Sequence, residues 1–184
     1  MQRADEGKAC KVEMGRATFR VLLGPGGIQR VELPPLGPAI KELRGSAHRA
    51  SYDSERLNQA DVARMDAFCL FLSDLLRGRE PSAAPEADLA ELTPFTREVL
   101  TAVERIPWGS VSTYGEVAAM AGRRGSARAA GGALGRNPAP LIVPCHRVTR
   151  AGGAIGGWSG LPGWKEWLLE LEGWLPEAGK AVKC

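Results

Sequence analysis

The sequence has few of the residues that build metal sites and disulfide frameworks. It contains four cysteines and two histidines in 184 residues, and no two cysteines form a Cys-x-x-Cys pair. Zinc fingers and zinc ribbons need such pairs, and small disulfide-bonded folds need a regular set of cysteines. The sequence therefore predicts no structural zinc site and no disulfide framework, and we expect no cofactor.

Long apolar runs are also missing. No stretch approaches the roughly 20 apolar residues that span a bilayer, and charged side chains are scattered through the first fifteen positions, where a signal peptide has its apolar core. The hydrophobic fraction of 44% and the charged fraction of 24% are those of an ordinary globular protein. We therefore expect a cytoplasmic protein, nuclear if its source is eukaryotic, that does not contact a membrane.

Acidic residues are absent from one long stretch of the second half. Residues 1–92 hold 13 basic and 14 acidic side chains, whereas residues 93–184 hold 11 basic and 7 acidic ones. Six arginines and no acid lie between positions 123 and 150: Arg123, Arg124, Arg128, Arg136, Arg147 and Arg150. This segment is a candidate contact for a polyanion, although charge alone favours the alternative of a solvated basic face.

The first of two predicted domains, residues 1–88, has the pattern of a small α/β fold. Residues 17–23 and 28–33 have the pattern of strands, and the Gly-Pro-Gly-Gly sequence between them is a hairpin signal. Residues 58–77 place apolar side chains at helical spacing. Antiparallel strands and one long helix are therefore expected, followed by a Pro- and Ala-rich linker over residues 78–88.

The second predicted domain, residues 89–184, opens with a short strand at 89–92 and continues as successive short helices. Helix starts are indicated at three places: Thr93-Pro94, the capping box Thr113-Tyr114-Gly115-Glu116, and Ser126. A last helix is expected over residues 164–172. Two of the short helices, separated by a tight turn, resemble a helix-turn-helix of the winged-helix kind. We therefore predict a mostly helical, DNA-binding domain.

The helix after Ser126 is built almost entirely from small residues. It reads Ala127-Arg128-Ala129-Ala130-Gly131-Gly132-Ala133. Two glycines in a helix interior cost about 1 kcal/mol each relative to alanine, so their presence needs a reason. One reason is close packing against another helix. The other is a slim helix that enters the narrow minor groove of DNA, which the local lack of acids favours.

Cys145 is the cysteine with an unusual local setting. Cys69 lies in an apolar helical segment and is expected to be a core thiol, and Cys184 is the last residue. Cys145 instead follows a predicted buried strand at residues 141–143 and Pro144. The thiolate is the reactive form of cysteine, and a free thiol with a pKa of ~8.5 is mostly protonated at neutral pH. A nucleophile at this position therefore needs a base.

His146 is the only histidine of the second half and the candidate base. Adjacent side chains of an extended chain point in opposite directions. A bridging water between thiol and imidazole is therefore expected unless the chain bends. A third group should orient the imidazole, and the last helix offers three carboxylates: Glu166, Glu170 and Glu172.

The motifs of this half, in their order and spacing, resemble those of the O6-alkylguanine-DNA alkyltransferases. They lie between positions 93 and 173: Val111-Ser112-Thr113-Tyr114-Gly115-Glu116-Val117-Ala118, Arg128-Ala129-Ala130-Gly131-Gly132-Ala133, Asn137-Pro138, Pro144-Cys145-His146-Arg147-Val148, Gly156, Ser159-Gly160 and Lys165-Glu166-Trp167-Leu168-Leu169. The N-terminal half matches only in its outline of strands and helix. The resemblance implies irreversible transfer of a methyl or alkyl group to a cysteine, from O6 of guanine and also O4 of thymine in duplex DNA.

The resemblance also implies a role for each matched position. Cys145 is the alkyl acceptor, activated through a water, His146 and Glu172. Tyr114 promotes flipping of the nucleotide and donates a hydrogen bond to guanine N3. The implied substrate-binding residues are Asn137, Pro140, Val148, Trp158, Ser159 and Lys165. The implied DNA-binding residues are Tyr114, Ala127, Arg128, Ala129, Gly131 and Arg136, with Arg128 entering the duplex. At position 158 the family more often has a tyrosine.

An alternative comes with the same resemblance. Alkyltransferase-like proteins bind alkylated guanine and flag it for other repair without transferring anything. They replace the acceptor cysteine, which this sequence retains as Cys145. We therefore expect a monomeric, single-use transferase that binds duplex DNA.

Overall fold

The computed structural model describes residues 8–156, 158 and 162–174. The chain divides into two compact units, and the first comprises the residues up to Glu91 together with Pro138–Ile142. The second comprises Leu92–Asn137 and the residues from Val143 onward. The sequence-based division falls after residue 88 and does not include the return of Pro138–Ile142 to the first unit. Among the described helices, none is long and apolar enough to cross a membrane.

The first unit contains a four-stranded antiparallel sheet. Its strands are β1 (Lys8–Met14), β2 (Ala17–Gly24), β3 (Gly27–Glu32) and β4 (Ser51–Tyr52), in the spatial order β3-β2-β1-β4. Inward-facing side chains alternate with exposed ones along β1 and β2, as expected for strands with one buried face. The predicted hairpin between β2 and β3 is confirmed.

Two helices complete the first unit: α1 (Pro38–Lys41) and α2 (Gln59–Leu76). The predicted long helix is confirmed, and it begins where the Asn58 side chain accepts a hydrogen bond from the backbone N–H of Asp61. Cys69 on α2 is 7% exposed, so the expected core thiol is confirmed. Burial, followed by the charge of Asp66, raises the pKa of this thiol to about 12, which makes it inert at neutral pH.

Short helices dominate the second unit. They are α3 (Pro94–Val103), α4 (Tyr114–Met120), α5 (Ala127–Leu134) and α6 (Trp164–Leu171), together with a 3₁₀ turn at Cys145–Arg147. The two-residue strands β5 (Ser112–Thr113) and β6 (Val148–Thr149) pair in parallel. This pairing places the start of α4 beside the chain that leaves the 3₁₀ turn.

Helix starts in the second unit follow the sequence signals closely. The Thr93 side chain caps α3, and Pro94 occupies its first turn. The capping box before α4 is present in full: Thr113 accepts from the backbone of Glu116, and Glu116 accepts from the backbone of Thr113. Ser126 stands at the N-cap position of α5, but its side chain makes no capping hydrogen bond.

Two predicted strands are wrong. At residues 89–92 the chain turns, because the Asp88 carboxylate accepts a hydrogen bond from the backbone N–H of Ala90 and so closes a local turn. At residues 141–143 no strand forms, because Leu141 and Ile142 lie in a turn, with a left-handed φ of 76° at Leu141, and Val143 forms only a single bridge. Pro140 and Pro144 flank this segment and supply no N–H for strand pairing. Cys145 therefore enters a helical turn and not the end of a strand.

Candidate active site

Cys145 lies at the first position of the 3₁₀ turn and is 4% exposed. Two side-chain N–H groups converge on its sulfur. Asn137 Nδ2 and Trp158 Nε1 each donate to Cys145 Sγ over 3.2 Å. Asn137 also donates to the carbonyl of Val143 at 3.1 Å, so it ties the end of the α5 segment to the chain that carries the thiol.

A cavity of about 80 Å³ opens at this sulfur. It is lined by Tyr114, Gly131, Leu134, Gly135, Cys145, Trp158 and Lys165. A space of this size holds a few water molecules, whereas pockets that take drug-sized ligands measure roughly 300–1,000 Å³. The structure therefore brings together four residues that the motifs single out, in a cavity that has to widen before it can hold a nucleobase.

The surroundings of Cys145 have opposing effects on the pKa of its thiol. Burial raises its pKa above the ordinary value. The hydrogen bonds from Asn137 and Trp158 and the charge of Lys165 oppose that rise without cancelling it. The thiol is thus protonated at neutral pH in this state, and a nucleophile forms only when a base takes the proton.

His146 is fully buried and holds one hydrogen bond through its ring. Its Nε2 lies 2.7 Å from Glu172 Oε1. Burial lowers the pKa of the imidazole, against the opposing effect of Glu172, so the ring is neutral at neutral pH. The hydrogen-bond network assigns the proton to Nε2, since an ionised carboxylate can only accept. Nδ1 is then a lone-pair acceptor, and it is buried with no hydrogen-bond partner among the described residues.

Glu172 caps the C-terminus of α6, and both of its oxygens are engaged. Burial raises its pKa, but the hydrogen bonds and charges of His146 and Arg147 more than offset this and lower the pKa below the usual value. Arg147 Nε lies 2.9 Å from Oε2, and the backbone N–H of Gly109 donates to the same oxygen at 3.2 Å. The carboxylate therefore stays ionised while it orients the imidazole. Of the three carboxylates open to sequence reasoning, the structure brings this one to His146.

Arg147 is the site residue whose position sequence reasoning missed. Its side chain is 12% exposed, and its guanidinium also donates to the carbonyl of Ile106 at 2.7 Å and lies over the Trp108 ring at 5.7 Å. An arginine next to a buried histidine, in an otherwise apolar segment, is the signal that could have shown it. A charge that is largely buried needs a partner that is buried with it.

Lys165 is buried as deeply as the apolar core, at 2% exposure. Its Nζ donates to the carbonyl of Val148 over 2.6 Å, so one lone pair of that carbonyl is already used. Burial lowers the pKa of the ammonium to about 8, partly opposed by Cys145. Lys165 therefore lines the cavity, and its ammonium loses its proton more readily than that of an exposed lysine.

Tyr114 begins α4 and is half-buried beside the cavity. Gly131 of α5 lies against its ring, where an added Cβ would stand 3.6 Å away, in ordinary van der Waals contact. Burial raises the pKa of the phenol, and the charge of Arg150 partly opposes this.

The small-residue helix α5 has two different faces. Ala130, Ala133 and Leu134 are buried where α5 packs against α3 and α4. Ala127 and Gly131 are partly exposed, and the exposed side carries Arg128, Ala129, Gly132 and Arg136. Close packing and a slim exposed surface are therefore both present, on opposite sides of one helix.

The six arginines of the acid-free segment divide by their contacts. Arg123 pairs with Glu98 at 2.9 Å, and Arg147 belongs to the buried network. The remaining four are exposed: Arg124, Arg128, Arg136 and Arg150.

Pro140 and Ser159 are the other predicted site residues. Pro140 belongs to the segment that groups with the first unit. Ser159 lies outside the described residues. Among the described residues, no group of three or more His, Cys, Asp or Glu side chains could hold a metal ion.

Residues 94–174 match the family described as 6-O-methylguanine DNA methyltransferase, DNA binding domain. This segment contains the whole of the geometry from Tyr114 to Glu172. Over these 81 of its 184 residues, the chain is similar to that family.

Individual relatives are similar over a little under half of this chain. The methylated-DNA–protein-cysteine methyltransferase of Salmonella typhimurium is 52% identical over 83 residues, which are 45% of this chain and 48% of that protein. The human protein of the same name is 48% identical over 80 residues, 43% of this chain and 39% of that protein. The chain thus spans about half the length of the curated relatives it matches.

A solved structure is similar over a longer stretch. The OGT of Mycobacterium tuberculosis, solved in complex with DNA, is 28% identical, with a TM-score of 0.65 over 88% of this chain and 90% of that chain. The combination of an antiparallel sheet with helices is therefore that of a known α/β fold.

Proposed function

We propose that this protein repairs alkylated DNA by taking the alkyl group onto Cys145. The substrate is O6-alkylguanine, and also O4-alkylthymine, in duplex DNA. The observation that carries the proposal is the buried Cys145 thiol, which opens into a cavity and is followed in sequence by an imidazole oriented by Glu172. The name of the matched family and the DNA complex of a similar structure support the same reaction.

The transfer is a displacement at the alkyl carbon. The Cys145 sulfur forms a bond to that carbon as the bond from the carbon to O6 breaks, and the electron pair of the broken bond stays on the guanine. The thiol proton ends on the guanine ring, so the base leaves as ordinary guanine. His146 Nδ1, with its free lone pair, takes up the thiol proton through a bridging water, and the Glu172 charge stabilises the imidazolium that forms. Tyr114 donates to guanine N3, where negative charge develops.

The depth of Cys145 requires that the nucleotide leave the helix. A sulfur that is 4% exposed cannot reach an atom inside stacked DNA, so the base must be flipped, at a cost of a few kcal/mol. The exposed side of α5 is narrow enough for the minor groove, and Arg128 on that side fills the space that the base leaves. The cavity of about 80 Å³ has to widen to admit the base.

Intact-mass spectrometry tests the proposal. With an excess of duplex DNA containing O6-methylguanine, each protein molecule should gain one methyl group in place of one hydrogen, on the peptide that contains Cys145. A thioether has no leaving group that water displaces at neutral pH, so the reaction should stop after one turnover. Repeated turnover would contradict the proposal. So would methylation of Cys10, or a protein that binds the lesion and gains no mass, as the alkyltransferase-like alternative requires.

Salt dependence tests the arginine surface. If the four exposed arginines contact phosphates, the logarithm of duplex affinity should fall against the logarithm of salt concentration with a slope of roughly −3 to −4. Fluorescence anisotropy of labelled duplex over a salt series measures this slope. Arg123→Gln, which removes an arginine already paired with Glu98, is the control and should leave the slope close to that of the wild type. A flat response would place the DNA contact elsewhere.

A further inference from the structure

Of the two side chains that donate to the Cys145 sulfur, one belongs to a family motif and the other departs from the family pattern. Asn137 follows α5 and belongs to the Asn-Pro motif. Trp158 stands at a position where the resemblance leads one to expect tyrosine. Its indole Nε1 nevertheless lies 3.2 Å from Sγ, the same distance as the Asn137 amide. The indole also lines the cavity into which the sulfur opens.

We propose that Trp158 is a catalytic residue whose indole N–H stabilises the thiolate of Cys145. The role rests on the proposed function, in which this sulfur is the nucleophile. An indole N–H can only donate, so it favours a sulfur that carries negative charge. A hydrogen bond to an ionised acceptor is roughly twice as strong as one between neutral groups, and the Trp158 contact therefore strengthens as the proton leaves.

The surroundings of the sulfur make such a donor necessary. The thiol is buried, and burial disfavours the thiolate. The neighbouring imidazole is neutral and engaged with Glu172, so it supplies no fixed positive charge. Lys165 favours the thiolate through its charge, but its Nζ donates to the Val148 carbonyl and not to the sulfur. Asn137 and Trp158 are thus the side chains whose hydrogen bonds reach the sulfur directly among those described.

The contact also bears on how the sulfur reacts. When the alkyl group has been transferred, the sulfur is an uncharged thioether and a weaker acceptor. Stabilisation of the thiolate also reduces its intrinsic nucleophilicity, because nucleophilicity falls with thiol pKa with a Brønsted coefficient of about 0.4–0.5. The net gain at neutral pH comes from the larger thiolate fraction.

Trp158→Phe tests the role, because phenylalanine keeps an aromatic side chain and lacks the N–H. The probe is iodoacetamide, without DNA, and the readout is the rate of alkylation of the Cys145 peptide from pH 5 to pH 11. Loss of one charge-assisted hydrogen bond should raise the thiol pKa by about one unit. The variant should then react about threefold more slowly at neutral pH and about threefold faster above its pKa. The two pH profiles should therefore cross.

Trp167→Phe is the matched control, since the Trp167 indole packs against Trp164 on α6. Its profile should follow that of the wild type. Trp158→Leu has neither an N–H nor an O–H donor and gives the same test if Trp158→Phe does not fold. Profiles of Trp158 variants that differ by a constant factor at every pH, or not at all, would overturn the inference. Because the probe is iodoacetamide, that outcome is distinct from a failure of methyl transfer in the mass measurement with DNA.

Discussion

Glu172→Gln is expected to destabilise the protein by about 3–5 kcal/mol, the usual cost of breaking a buried ion pair by removal of one partner. The side chain is 1% exposed and lies 2.9 Å from Arg147 Nε. Glutamine keeps the shape but leaves the guanidinium without its counter-charge in a buried setting. Since proteins have a total free energy of unfolding of roughly 5–15 kcal/mol, this loss is a large fraction of the stability.

The cost should depend on pH in a definite direction. The folded-state pKa of Glu172 lies below its unfolded value of about 4.3. A carboxyl of this kind contributes stability that is fully present above the unfolded pKa and is lost as the pH falls through the folded pKa. The difference between wild type and variant should thus be largest at neutral pH and should shrink below about pH 4.

Urea unfolding at a series of pH values measures the difference. Glu166→Gln, an exposed position on the same helix, is the control and should change stability by less than about 0.5 kcal/mol. The transfer rate of Glu172→Gln should also fall, because the imidazolium loses its counter-charge. Equal stabilities of the two variants at pH 7 would show that the network contributes nothing to folding.

The sequence predicts those parts of the fold that depend on local chemistry. Threonine at residue 113 and glutamate at residue 116 cap each other within one helical turn, so their spacing alone predicts the start of α4. The periodicity of α2 and the glycine-rich hairpin are local in the same sense. Each is confirmed because no distant residue is needed to form it.

The wrong predictions concern backbone conformation, which the types of the side chains do not reveal. Leu141 and its neighbours are apolar, and an apolar run of three is compatible with a strand. The flanking prolines and the left-handed backbone at Leu141 exclude it. The resulting 3₁₀ turn matters for the site, because residues 145 and 146 no longer point in opposite directions as they do in an extended chain.

Contacts between residues that are far apart in sequence are the part of the site that sequence patterns predict least. Three glutamates in α6 or directly after it share the sequence signal for a carboxylate near His146, and only the spacing of the family motif favours Glu172. The burial of Arg147 and the approach of Trp158 to the sulfur are set by the packing of segments far apart in sequence. The approach of Trp158 has no local signature, and the apolar setting of Arg147 indicates burial without indicating its partner. The prediction that α5 faces DNA rests instead on its small residues and on the local lack of acids.

Two substitutions should separate DNA binding from methyl transfer. Cys145→Ser should bind alkylated duplex with the affinity of the wild type and should abolish transfer. Serine is close in size to cysteine, but its hydroxyl is a far weaker nucleophile than a thiol at neutral pH. Anisotropy gives the affinity and intact mass gives the transfer. A serine variant that still gains a methyl group would mean that another side chain is the acceptor.

Arg128→Ala should have the complementary effect. The exposed guanidinium lies on the slim side of α5, where it can enter the duplex. Its removal should make the salt slope shallower by about 1 and should slow methyl transfer from duplex DNA, because the flipped state loses the group that fills the stack. Reaction with free O6-benzylguanine needs no flipping and should stay at the wild-type rate. Arg124→Ala, another exposed arginine of the same segment, should alter the salt slope alike while leaving transfer at saturating DNA unchanged. If Arg128→Ala reacted normally with duplex DNA and poorly with the free base, Arg128 would serve the Cys145 cavity instead of the duplex.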